Sequence, residues 1–480
     1  PFSTASTYRL PDPGLDIRGP PTRHVFPLTS FRASVPLLAL ALTVAACDSS
    51  DPLDPPIIDG QLQVEGGRGT AADLVLNLDA DAGVQSLTVA VDGGAAEAIT
   101  VADGATQVTY SFDIHAAATV GTAYSLAFTV TDDEGQTDTA TGTVTVGRLI
   151  DTPDDYEFTR DGSTTVAYNG QINRLNMVAE MKDYLKRADR GEVISEQVLL
   201  DMFENAGGNG GGNFSFTASQ QLKNKTFAPD LDGGLYEDFF ARAAAASVAG
   251  NAGTDAADGV AGLITRENSG NTILVDENGR EFVQFVEKGL MGSVFYNQIF
   301  NTYLTDNRIG PNVENTALRD GENYTDMEHH WDEAFGYFGA PVDFASNWPT
   351  ERRSEARFWA NYSNVSDPEL GLNTRIMDAF TAGRAAVVNN DRAEITSNTD
   401  ELYTVLELTT AATAVHYIND TLGHLDEGKT GEAFHTLSAA WAFPRALLFS
   451  PRRLRRRWKL LERDRGGPEQ GQVYPRSDLP

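Results

Sequence analysis

The chain has 480 residues, 41% of them apolar, enough for two or three domains with a sizeable core, which rules out a wholly disordered polymer. Its 37 basic and 68 acidic residues leave a net charge of −31, which argues against nucleic-acid binding, because phosphate backbones demand clustered Lys and Arg. One cysteine, Cys47, excludes an intramolecular disulfide framework and any Cys-based zinc cluster.

Residues 1–47 read as an upstream segment followed by a signal peptide. Val35–Ala46 (VPLLALALTVAA) is apolar and uncharged, too short to span a bilayer but the length of a signal-peptide core, with Arg23, His24 and Arg32 as a weakly basic flank. It ends in Val44-Ala45-Ala46-Cys47, which resembles a bacterial lipobox; the resemblance implies that Cys47 is lipidated and becomes the mature N-terminus. Residues 48–59, polar and Pro-rich, read as a tether. The expected location is therefore the bacterial cell envelope, with the membrane as partner through the lipid.

Residues 60–147 alternate apolar and polar in Asp73–Leu78, Ser86–Val91, Gln107–Phe112, Tyr124–Thr131 and Thr139–Val146, with Gly and Asp between them. Period-two patterning with closely spaced turns predicts a small antiparallel β-sandwich. The closing stretch, AFTVTDDEGQTDTATGTVTV, resembles the last hairpin of immunoglobulin-like and PKD-like modules. Asp132, Asp133 and Glu134 in it read as an exposed turn rather than a calcium loop.

After a linker at 148–155, residues 156–450 are predicted to be all-α, without strand-rich interruptions. Helices are expected over Ile172–Ala188, from Ser195-Glu196 onward, and over Leu235–Val248, Glu281–Thr305, Thr325–Phe338, Ser354–Asn361, Arg375–Asn389 and Asp400–Thr421. Residues 451–480 carry nine basic and four acidic side chains in a chain otherwise strongly acidic, and are expected to be a disordered or frameshifted tail.

The densest chemistry is Asp326-Met327-Glu328-His329-His330-Trp331-Asp332-Glu333. On a helix, His330 and Glu333 share a face at three-residue spacing, and His329 and Glu333 at four, so either pair has the reach to hold one divalent ion. Thr325 with Glu328 also spells a capping box, and His–Glu is an ordinary surface pair. Trp331, Phe335, Tyr337 and Phe338 read as core, and Glu287-Lys288 as a local ion pair. No His-Glu-x-x-His, Gly-x-Ser-x-Gly, Walker or dinucleotide motif is present in the sequence.

EHHWDEAFGYF, with FVEKGLMGSVFYNQI (285–299), RFWANYSN (357–364), IMDAFTAGRAAVVNND (376–391) and EAFHTLSAAWAF (432–443), resembles an uncharacterised family of bacterial lipoproteins within the imelysin-like superfamily. The resemblance implies an all-helical, bundle-like fold, a link to iron uptake and a metal site, with peptidase activity described for some members. The superfamily hallmark is Gly-x-His-x-x-Glu; His330 and Glu333 match its His and Glu, whereas Glu328 stands at the Gly position. The expected protein is a lipid-anchored envelope binding protein, possible partner of an uptake complex, rather than an enzyme. Its expected metal is iron or zinc, held by His330 and Glu333 with Glu328 and the distant His416 as helpers. The alternatives are a metal-dependent hydrolase and a structural or docking lipoprotein.

Overall fold

The computed structural model describes residues 53–450. Cys47, the apolar run before it, the start of the tether and the basic tail lie outside the described residues.

Residues 57–147 are β-rich. They form β1 (Ile57–Gln61), β2 (Gln63–Gly67), β3 (Ala71–Asp79), β4 (Val84–Val91), β5 (Glu97–Ile99), β6 (Gln107–Asp113), β7 (Ala123–Asp132) and β8 (Thr137–Gly147). A three-stranded sheet, β1-β3-β6, and a five-stranded sheet, β2-β8-β7-β4-β5, share one core. The strand alternation read from sequence is what fills it: Leu74, Leu76, Leu126, Phe128, Val130 and Val144 are fully buried. Each such side chain contributes about 1.5–3 kcal/mol. Pairing is antiparallel except for β2 beside β8, which runs parallel. At the β7–β8 turn Asp132 is buried, not exposed as expected; its Oδ1 accepts the Glu134 and Gln136 amides at 3.0 and 2.7 Å and closes the turn.

The following region is helical. Two short strands, β9 (Thr159–Arg160) and β10 (Ser163–Thr164), precede α1 (Asn169–Leu185), α2 (Glu196–Glu204), α3 (Ala228–Asp232) and α4 (Leu235–Asn251). A hairpin of β11 (Gly262–Thr265) and β12 (Thr272–Val275) leads to α5 (Phe282–Leu290), which runs on through π-helical turns at Met291–Tyr296 and Ile299–Tyr303. Then come α6 (Asp306–Ile309), α7 (Asp326–Phe338), α8 (Trp359–Leu370), α9 (Leu372–Asn389), α10 (Arg392–Asp426) and α11 (Thr430–Arg445).

Three expectations fail here. The β11–β12 hairpin interrupts the helices, because runs of four residues are too short to show an alternation. The helix expected from Ser354 begins instead at Trp359, after a 3₁₀ turn (Thr350–Glu355) and a backbone break at Phe358 (φ 46°, ψ −112°). The helix expected from Asp400 to Thr421 starts at Arg392, where Asp391 caps it by accepting the Glu394 amide, and runs to Asp426.

Every residue from Phe282 to Phe300 is buried, so α5 and its continuation form the central rod of the helical region. The indole N–H groups of Trp331 and Trp359 donate to the carbonyls of Phe380 and Met291, each at 2.9 Å, tying α7 to α9 and α8 to the rod. The two regions meet at the end of α9. Asn389 accepts the Leu149 and Ile150 amides at 2.7 and 2.9 Å, Asn390 donates to the Ala117 and Ala118 carbonyls, and Arg68 donates to the Val388 carbonyl.

Candidate functional site

Helix α7 carries the acidic-histidine block, and its start follows from the sequence. Thr325 accepts the Glu328 amide at 3.2 Å while the Glu328 carboxylate accepts the Thr325 amide at 2.7 Å, a complete capping box. At about 100° per residue the block then divides among three faces. Trp331, Phe335 and Phe338 enter the core, all fully buried.

Glu328 and Asp332 make a second face. Glu328 is held by Arg160 at 2.8 and 3.2 Å, with the Arg384 guanidinium 3.4 Å away. Asp332 accepts from Arg384 Nε at 2.9 Å, from the Tyr156 hydroxyl at 2.8 Å and from the Ala167 amide at 3.0 Å. Glu328, Asp332 and Arg384 are fully buried. Burial works to raise the Glu328 carboxyl, but Arg384, Arg160 and the Thr325 amide outweigh it and hold it low. Asp332 is left raised, since burial there exceeds the help of Arg384 and Tyr156.

His329, His330 and Glu333 form the third face. Arg308 donates to His330 Nε2 at 3.3 Å, which makes Nδ1 the protonated nitrogen, and Nδ1 lies 3.2 Å from Glu333 Oε2. His329 Nε2 is 3.8 Å from the same oxygen. Gln171, from α1, donates to Glu333 Oε1 at 3.0 Å, and the Tyr303 hydroxyl at the end of the π-helical rod also bonds this carboxylate. Burial raises the Glu333 carboxyl, yet the His330 hydrogen bond, His329, Gln171 and Tyr303 together bring it below its ordinary value. The Tyr303 and Tyr337 hydroxyls are pushed up, first by burial. Arg174, Lys225 and Arg308 add positive charge: Lys225 Nζ sits 5.9 Å from the Tyr303 ring centroid, and its ammonium is pushed down by burial and by Arg174. The Tyr337 hydroxyl meets Arg174, whereas His329 Nδ1 is buried without a hydrogen-bond partner.

The sequence-predicted pair is thus brought together, and its two helpers are not. Glu328 lies about 160° around the helix from His330 and its oxygens are taken by arginines and the cap, so it cannot join His330 as a ligand. His416 is on the wrong end of α10. Arg392, at the start of that helix, is 3.7 Å from Met327, and His416 follows 24 residues later, about 36 Å along the axis. There it pairs with Asp420 at 3.2 Å with half its side chain exposed. Gln171, Arg174, Lys225, Tyr303 and Arg308 were missed by sequence reasoning; they come from four separate segments with no shared motif. Among the described residues no group of three or more His, Cys, Asp or Glu side chains is arranged to hold a metal ion.

The sequence profile of the family described as Domain of unknown function (DUF4856) matches residues 153–454, and the chain belongs to that family. Curated proteins yield no match. Among solved structures, the chain is similar to the PKD domain of an M14-like peptidase from Thermoplasmatales archaeon SCGC AB-540-F20, with 18% identity and a TM-score of 0.16, over 20% of this chain and 98% of that one.

Proposed function

We propose that this is an imelysin-like binding protein of the cell envelope, lipid-anchored through Cys47, raised on an immunoglobulin- or PKD-like β-module, and serving capture of a metal, iron before zinc. The observation that carries the reading is the convergence of Glu333, His330 and the Tyr303 and Tyr337 phenols on one corner, where the two phenols are buried and His330 and Glu333 are half-buried. A cage of His and carboxylates alone is not available there. Phenol oxygens with one carboxylate and one imidazole make a hard, oxygen-rich set that suits iron better than zinc.

His330 Nδ1 and Glu333 would hold the ion in place of the proton between them, and Tyr303 would add an oxygen after losing its own. Binding would therefore release protons and weaken as pH falls. Arg174, Lys225 and Arg308 disfavour a bare cation, which supports capture of the metal together with an anionic co-ligand. A hydrolase needs, besides the ligands, a base of its own, and the sequence nominates none, so binding is the favoured class.

The test is titration of chelator-stripped full chain with ferric iron and phosphate, read by the visible phenolate-to-iron absorption. Tyr303→Phe is expected to remove most of that band and Glu333→Ala to weaken binding at least about tenfold, with the circular dichroism unchanged. Equal iron binding by wild type and both variants would refute the site and leave the docking-lipoprotein alternative standing.

A further inference from the structure

A second cleft, of about 620 Å³, opens between α1, α5 and the 350–362 segment, away from the face of α7 that bears His330. Its walls include Lys182, Lys288, Arg353 and Arg357 against two carboxylates, Glu287 and Glu351. That local surplus of positive charge stands in a chain of net charge −31 with only seven lysines.

The cations are not there to satisfy one another's partners. Lys182 and Lys288 share a single carboxylate, Glu287, at 2.8 and 2.5 Å, so one positive charge is left over at the buried floor. Lys288 and Glu287 are themselves buried. Burial raises the Glu287 carboxyl, but the two ammonium groups outweigh it and keep it ionised. Arg357 donates to the neutral amide of Asn176 at 2.8 Å, and burial alone acts on its guanidinium. Arg353 likewise faces a neutral amide, Asn361. A half-buried guanidinium without a carboxylate is costly unless an anion completes it.

The backbone that aims these groups is strained. Phe358 has φ 46° and ψ −112°, a conformation a bulky L-residue rarely adopts, and the preceding Arg357 amide is bolted to the Gly339 carbonyl at 2.9 Å. The rings of Phe358 and Tyr362 line the same cleft, and Lys288 Nζ lies 5.2 Å from the Tyr362 centroid. The space suits a small molecule rather than a single ion.

We infer that this cleft binds a small organic or inorganic oxyanion carrying at least two negative charges, a polycarboxylate or a polyphosphate, with Arg353 and Arg357 gripping its oxygens and the Lys182–Glu287–Lys288 floor supplying the remaining charge. Neither residues of α7 nor a metal take part.

The experiment is calorimetric titration of the full chain, freed of chelator by dialysis, with citrate and separately with pyrophosphate, at constant ionic strength. Saturable binding of one or both is expected; the tighter probe tells carboxylate from phosphate preference. Arg353→Ala and Arg357→Ala should each weaken it about ten- to a hundredfold, the value of a lost charge-assisted hydrogen bond. Arg353 is exposed, so its replacement leaves the core intact, and Arg242→Ala, in a surface pair with Asp238, should change nothing. Absence of saturable binding by both probes, or equal affinity in the two cleft variants and wild type, would overturn the assignment.

Discussion

Asp189 offers a sharp test of the electrostatics. It sits in the single turn after α1, and its Oδ1 accepts the Leu274 amide at 2.9 Å, fastening the β11–β12 hairpin to the helix end. The cleft around it, about 730 Å³, is also lined by Glu281 and His435, which pair at 2.7 Å. Burial pushes the Asp189 carboxyl from 3.8 up to about 7, helped by Glu281 and opposed by the Leu274 amide, Lys186 and Arg190. A carboxyl raised in the folded state holds its proton more tightly there than in the unfolded chain. Stability contributed by that proton is therefore lost as pH climbs from about 4 towards 7, and the cost is complete above it. At about 1.4 kcal/mol per pH unit the ceiling is about 4 kcal/mol, and water reaching the cleft reduces it to roughly 2–4. Asp189→Asn keeps the acceptor for Leu274 and removes the charge. Urea unfolding of both proteins at about pH 4.5 and about pH 8 should show the variant gaining on wild type by roughly 2–4 kcal/mol as pH rises. Parallel pH profiles would refute the reasoning.

Two further substitutions probe the ground beneath α7. Arg384→Met strands Asp332 and Glu328 in the core and should cost about 3–5 kcal/mol in chemical denaturation; a loss under about 1 kcal/mol would show the network to be dispensable. A Cβ at Gly383 would lie 2.0 Å from Trp331 Cζ2, so Gly383→Ala should force the indole off the Phe380 carbonyl and cost about 1–3 kcal/mol or more. Its readouts are tryptophan fluorescence and Tm, and an unshifted emission with unchanged Tm would contradict the packing described.

Much of the fold was legible because its signals are local. Period-two runs foretold β3, β4, β6, β7 and β8, and the Thr325–Glu328 spacing foretold the start of α7 to the residue. The pairing of His330 with Glu333 was equally readable, being a matter of one helix turn. What failed depended on the third dimension. Glu328 looked like a ligand two residues from His330, yet helical geometry turns it towards Arg160 and Arg384, which lie 168 and 56 residues away in the chain. His416 looked like a helper until the length of α10 carried it out of reach. His435 pairs with Glu281 from 154 residues away, a contact that no local spacing announces. Tyr303 had no signal at all, because nothing in FYNQIFNTY announces a change of helical pitch.

That change of pitch has a further meaning. Each π-helical stretch in Met291–Tyr296 and Ile299–Tyr303 accommodates more residues per turn than an α-helix, so it resets the angular phase of everything that follows. The hydroxyl that meets Glu333 is therefore positioned by a count of residues as much as by their identity. Conservative exchanges along the rod would leave Tyr303 where it is, whereas removing a residue from the α-helical part, Phe282–Leu290, would swing that ring by about 100°. Among relatives, this segment should drift in composition while keeping its length.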